Sequence, residues 1–185
     1  LLARYPLIRS RSITLSGEVA FDAQEERLSA IAPVAAPLSL DRLRIARMGG
    51  DVLWFTPWEG IVSGRLMGAF GIDGLGARRP PPAGSEREPL SRQGARPEFQ
   101  KLEATLAYTQ PLAEHLTLDL RARAQTAFNQ ALPRSEQIGL ATLSGLSAFD
   151  AGLFQGDDGY VVRGEVQVSF LVPVSLPFGL PSVPA

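Results

Sequence analysis

The sequence has no cysteine, a single histidine (His115) and no run of about 18 consecutive apolar residues. The first absence removes disulfide frameworks, thiolate metal sites and cysteine nucleophiles, and the second leaves no imidazole cluster for a metal ion. The third argues against a transmembrane helix. One uncharged stretch comes close, from Gln167 to Ala185, but Pro173, Pro177, Pro181 and Pro184 would break a helix at every turn. An excess of charge of one sign is lacking too. The 18 Lys and Arg stand against 19 Asp and Glu, so no polycationic surface for nucleic acid is expected. The opening residues carry neither an initiator methionine nor a signal-peptide pattern, as expected of a segment cut from a longer chain.

Motifs that carry chemistry are equally scarce. The glycines of Gly71 to Gly76 lack the G-x-G-x-x-G spacing and follow no parallel βαβ pattern, so they read as loop glycines. A Ser-His-Asp triad would have to use His115, which lies at a turn-to-strand junction with no nucleophile elbow. Asp157 and Asp158 lack EF-hand spacing and suit the tip of a turn. The stretch from Arg78 to Pro97 is rich in charge and proline, has no apolar periodicity, and is expected to be an exposed loop with little reason to fold and room for a partner site. No catalytic residue, metal, cofactor or small-molecule substrate is expected.

What the sequence does contain is alternation with period two, the mark of a half-buried strand. Ile13, Leu15, Gly17, Val19 and Phe21 oppose Thr14, Ser16, Glu18 and Ala20. Leu116, Leu118, Leu120, Ala122 and Ala124 oppose Thr117, Asp119, Arg121, Arg123 and Gln125. The pattern recurs from Phe99 to Gln110 and from Tyr160 to Phe170. A weaker strand spans Leu40 to Phe55, where Gly49 and Gly50 predict a bulge, and a sixth spans Ile61 to Ile72. Connections alternate between short (Tyr5 to Ser10, Thr56 to Gly60, Gln110 to His115) and long (Ser29 to Ser39, Gly74 to Glu98, Ser135 to Tyr160).

A meander of strands about ten residues long with every second connection long is the plan of an outer-membrane β-barrel. The fold class expected is therefore all-β, an antiparallel meander forming part of a transmembrane barrel. On that plan Glu18, Arg42, Arg44, Glu103, Asp119, Arg121, Arg123, Arg163 and Glu165 face a water-filled lumen. The alternative is the solvated face of a soluble sheet packed on another layer. Trp54, Trp58, Tyr108, Phe128, Tyr160 and Phe170 lie near the predicted strand ends, where an aromatic girdle would sit.

Several segments, in order and over nearly the whole chain, resemble the barrel of the two-partner secretion translocators, the ShlB/FhaC/HecB family of haemolysin secretion and activation proteins. They are YPLIRSRSITLSGEVAFD, LSLDRLRIARMGGD, GIDGLGA, LPRSEQIGL and FDAGLFQGDDGYVVRGEVQ. The resemblance implies roughly the seventh to twelfth strands of a barrel of about sixteen, with periplasmic POTRA domains and closing strands outside this chain. It implies an extracellular loop over 71–97 and a signature loop over 129–157 that folds back into the lumen. In the family that loop carries a Val-Arg-Gly-Tyr or Val-Arg-Gly-Phe tip whose arginine touches the inner wall. Here the tip falls on Leu146, Ser147, Ala148 and Phe149, so Ser147 replaces the arginine and Ala148 the glycine. Asp150, Gly152, Gly156, Asp157 and Gly159 complete the implied translocation loop. Val162, Arg163 and Gly164 spell Val-Arg-Gly but lie in the next strand.

The function implied is a non-enzymatic pore in the bacterial outer membrane that passes an unfolded partner exoprotein of haemolysin or adhesin type. Its partners are that exoprotein and outer-membrane lipid. Its rivals are a related barrel that assembles or anchors surface proteins, and an outer-membrane enzyme or soluble β-domain hydrolase.

Overall fold

The computed structural model describes residues 1–31, 36–82, 84, 85, 87–140 and 154–170. Seven strands form one antiparallel sheet in the order β1 (Leu2–Arg9), β2 (Ile13–Ala30), β3 (Ala36–Phe55), β4 (Ile61–Gly71), β5 (Gln100–Ala113), β6 (Leu116–Thr126), β9 (Gly159–Val168). Between β6 and β9 lie a 3-10 turn (Arg134–Glu136) and a small antiparallel pair, β7 (Ile138–Gly139) with β8 (Gln155–Gly156). Strands of 10 or 11 residues, such as β4, β6 and β9, have the length that a tilted strand needs to span a bilayer.

Directly opposed residues in a ladder share a face. The register therefore sorts the side chains. One row runs Val19, Met48, Gly68, Leu102 and the next Glu18, Gly49, Met67, Glu103, Gln125. Carried across the sheet, the alternation puts Val19, Met48, Leu66, Leu106, Leu120, Val162 and Val166 on one face. It puts Glu18, Arg47, Asp51, Arg65, Lys101, Glu103, Asp119, Arg121, Arg123, Arg163 and Glu165 on the other.

Burial runs opposite to that of a soluble sandwich. Val162 (67%), Val19 (60%) and Met48 (58%) of the apolar face are exposed, whereas the buried cluster of Leu43, Ile45, Ala69, Phe99, Ala127 and Leu132 lies on the charged face. The layer that buries it is made of loops. The segment after β4 returns along the upper part of β3, with the Arg78 N–H donating to the Arg42 carbonyl at 2.9 Å and the Leu40 N–H to that of Pro89 at 3.0 Å. It then packs Ala95 and Pro97 out of solvent. The stretch after β6 adds Leu132, Pro133 and Ile138. An apolar face of this size, with no layer of the described residues upon it, is the mark of a surface that meets lipid.

Four expectations need correction. Tyr5 to Ser10, expected to be a short turn, is mostly strand β1, because its alternation is hidden by Pro6 and by a bulge between Pro6 and Ile8. No register shift occurs at Gly49 and Gly50. These glycines permit close backbone approach instead, since a Cβ on Gly49 would lie 2.0 Å from the Leu66 carbonyl oxygen. Arg42 and Arg44 stand on the face opposite to Glu18 and Arg123. Leu43 and Ile45 take the charged-face positions because the loop after β4 buries them there, and Arg42 pairs with Glu25 across the ladder on the other side, at 3.1 Å. The Arg78 to Pro97 stretch is not simply an exposed tether. Arg78 pairs with Glu88, and the Ser91 N–H and hydroxyl both donate to buried Asp41.

Gly71 ends β4 where the loop closes over the sheet: a Cβ there would lie 2.0 Å from the Pro97 carbonyl oxygen and 2.6 Å from the Phe99 ring. At Gly17 the nearest atom would be 3.6 Å away, an ordinary contact. In the full-length protein Gly71→Ala is expected to cost about 2 kcal/mol, and Gly17→Ala less than about 0.5 kcal/mol. Urea unfolding followed by tryptophan fluorescence measures both, and equal midpoints for the two variants would refute the close-packing account.

Candidate functional site: the charged face and the loop seated on it

On the charged face, cations and carboxylates pair across and along strands. Arg4 of β1 reaches over β2 to Asp51 of β3 at 2.6 Å, and Arg65 of β4 reaches over β3 to Glu18 of β2 at 2.7 Å. Arg123 of β6 donates to Glu103 of β5 from both Nε (3.0 Å) and Nη2 (2.8 Å), and Arg163 pairs with Glu165 on β9. The Thr109 hydroxyl donates to Asp119 at 2.8 Å. Arg121 sits directly opposite Arg163, and no ion pair joins it to a described carboxylate. Of the lumen set expected from sequence, Glu18, Glu103, Asp119, Arg121, Arg123, Arg163 and Glu165 thus share one face, while Arg42 and Arg44 do not.

A second group of contacts fastens the loop between β6 and β9 to this face. Glu136, in the 3-10 turn, is 3% exposed and lies between two cations of the sheet. Arg47 Nη2 of β3 is 2.6 Å from its Oε1, and Lys101 Nζ of β5 is 2.9 Å from its Oε2. The Lys101 contact has the distance of an ion pair but not the angles of a hydrogen bond, and Lys101 instead donates to the Glu136 carbonyl at 3.1 Å. Gln125 donates to that same carbonyl at 3.1 Å, and Arg47 also holds Asp22 at 2.7 Å.

The returning leg of the loop is held by carboxylates. Asp157 accepts from Arg92, from the Leu132 N–H at 3.1 Å and from Gln137 at 3.3 Å, so it joins the loop after β4 to the loop after β6. Asp158 accepts from the Thr126 hydroxyl at 2.7 Å and the Ala127 N–H at 2.8 Å, tying the start of β9 to the end of β6. β7 and β8 pair the two legs, and the Leu140 N–H adds a bond to the Phe154 carbonyl at 3.0 Å. Gly156, Asp157 and Gly159 of the expected translocation loop therefore lie where it leaves the face. Leu146, Ser147, Ala148, Phe149, Asp150 and Gly152 lie outside the described residues.

Sequence patterning missed Arg47, Lys101 and Glu136. Arg47 lies in the strand whose phase was inverted, Lys101 lies near the start of the predicted alternating run but outside the positions singled out for its charged face, and Glu136 lies in a stretch with no period. The strand register is the signal that brings the two cations together.

Asp157 lies in the turn before β9, outside the spanning part of the strand. Burial opposes its charge, but the Arg92 guanidinium, the Leu132 N–H and Gln137 outweigh this and hold the carboxyl below the ordinary carboxylate range. A depressed pKa stabilises the folded state above the ordinary carboxylate value, and that contribution is lost as pH falls through the lowered one. Asp157→Asn is expected to loosen the loop by about 2 kcal/mol, read as faster hydrogen exchange at the Leu132 amide. In the unaltered protein the protection of that amide, relative to its intrinsic exchange rate at each pH, should fall only in acid. Identical exchange in both proteins at neutral pH would show that Asp157 does not hold the loop.

A sequence model of the family described as haemolysin secretion/activation protein ShlB/FhaC/HecB matches residues 3–180. No curated protein matches the chain. Among solved structures, CdiB from Escherichia coli is similar with a TM-score of 0.68 at 19% identity, over 95% of this chain and 30% of that one. At that identity the likeness concerns the fold, a stretch of antiparallel barrel wall, and this chain spans 30% of the CdiB chain. Given a family match over nearly every residue, the chain belongs to the ShlB/FhaC/HecB haemolysin secretion/activation family of two-partner secretion, and its sheet is a piece of an outer-membrane β-barrel.

Proposed function

We propose that the chain is the central part of a pore that carries an unfolded partner exoprotein through the outer membrane, with the charged face as its lumen wall and the 129–157 loop folded into that lumen. The observation that carries this reading is the contrast between the two faces of one sheet. The apolar face is exposed, and the charged face bears ion pairs together with the docked start and end of the loop.

Such a wall suits an extended polypeptide in transit. Paired charges of both signs hold water and offer no single strong site to the passing chain, so movement does not depend on its sequence. Arg121, opposite Arg163 and with no ion pair among the described residues, leaves positive potential near mid-strand. Passage requires no bond to be made or broken, and the residues of the face act by solvation and steric placement. The 71–97 loop stands on the extracellular side and closes over the same end of the lumen. Outer-membrane lipid covers the face that carries Val19, Met48, Leu66 and Leu106.

Planar-bilayer recording of the full-length protein tests the placement of the loop. Deletion of Thr142 to Ala151 is expected to raise the conductance, and an unchanged conductance would argue against a loop inside the lumen. Appearance of the exoprotein in the culture medium tests the secretion reading itself. A barrel that anchors surface proteins would leave that protein on the cell.

A further inference from the structure

The register of three strands builds a small receptor on the charged face. Arg47 of β3 lies opposite Ala69 of β4, and Ala69 lies opposite Lys101 of β5. Two cations thus flank a methyl group in one row across the sheet. Ala69 is fully buried, and its small side chain leaves room for a group to descend between the cations. That group is the Glu136 carboxylate, with one oxygen toward each cation, while Gln125 and Lys101 hold the backbone carbonyl of the same residue. The other buried carboxylate of the described residues, Asp41, has an uncharged partner in Ser91.

The sequence separations matter. Glu136 lies 89 residues from Arg47 and its carbonyl contact to Lys101 spans 35, so the site exists only when the loop is seated on an assembled wall. Lys101 is 7% exposed and has a second carboxylate, Glu103, only at 3.8 Å. Arg47 keeps Asp22 when Glu136 leaves. Withdrawal of Glu136 therefore strands mainly Lys101, in a place already depleted of water.

We infer that Glu136 is the positioning residue that seats the loop of this pore, its carboxylate filling a socket formed by Arg47, Ala69 and Lys101, so that leaving the socket unseats the loop from the wall. The inference rests on the pore reading for its consequence in transport, but the seating can be measured without any exoprotein.

The test uses the full-length protein in detergent and in planar bilayers, comparing Glu136→Gln, Glu136→Asp and Arg42→Gln. Arg42 serves as control because its ion pair with Glu25 lies on the other face. Trypsin cleavage after Arg134 reports release of the turn, and the frequency of channel openings reports the state of the lumen. Glu136→Gln is expected to raise both about tenfold. Glu136→Asp should recover most of the original behaviour, and Arg42→Gln should leave both readouts unchanged. Unaltered cleavage and gating in Glu136→Gln, or no recovery in Glu136→Asp, would overturn the assignment. Should Glu136→Gln fail to give a heat-modifiable folded band, Lys101→Met reads the same socket from the wall side, and normal cleavage and gating in that variant would overturn it equally. Faster cleavage with no exoprotein released by any form, the unaltered protein included, would retain the socket and reject secretion.

Discussion

Each strand of this sheet must satisfy two different solvents with side chains that alternate one by one. The backbone ladder makes that possible. With N–H and C=O groups paired sideways between neighbours, no polar main-chain atom has to point at the apolar side, and the side chains alone decide what each face can touch. A slip of one residue between β2 and β3 would bring Glu18 to the side of Val19 and Met48, which is why the pairing through Val19–Met48 and Glu18–Gly49 is so strongly specified. The charged face, its ion pairs and the loop seated there all inherit their positions from that register.

The same constraint explains where the core lies. A soluble β-domain buries its apolar stripe under a second layer, whereas here the stripe is left bare and the tightly packed residues gather on the opposite side beneath two loops. Ile45, Phe99 and Leu132 come from three separate stretches and make a compact nucleus against the wall. Hydrogen bonds and ion pairs to carboxylates then extend what apolar packing begins. Asp41 with Ser91, Asp157 with Arg92 and Glu136 with Arg47 each join a loop to a strand or to another loop.

Much of the wall was legible because alternation is a local property. β2, β5, β6 and β9 could be read from their own residues, and their charged positions Glu18, Glu103, Asp119, Arg121, Arg123, Arg163 and Glu165 fell on one face as expected. β1 escaped notice because a bulge beside Pro6 shifts its phase within eight residues. β3 was phased wrongly because Leu43 and Ile45 look like lipid-facing residues until a distant loop is laid over them. What holds the loop was not legible at all, since the partners of Glu136 and Asp157 lie on strands and turns remote in sequence, and no periodicity links them. The resemblance to a family suggests where the loop runs, and the geometry shows how its described ends are fastened to the face.

β2 and β3 differ from the rest in height. β1 reaches β2 only as far as Ala20, and the β3–β4 ladder stops at Ile45 with Gly71, yet the two long strands stay paired to Ala30 and Ala36. Eight further pairs beyond Asp22–Ile45 add about 25 Å of ladder before any allowance for tilt. With the Glu25–Arg42 ion pair on its outward side, that ribbon lacks the apolar face that the shorter strands carry. The ribbon is therefore a two-stranded blade braced on one side by the loop after β4, so its far end is held at a fixed height beyond the shorter strands rather than swinging as a free hairpin.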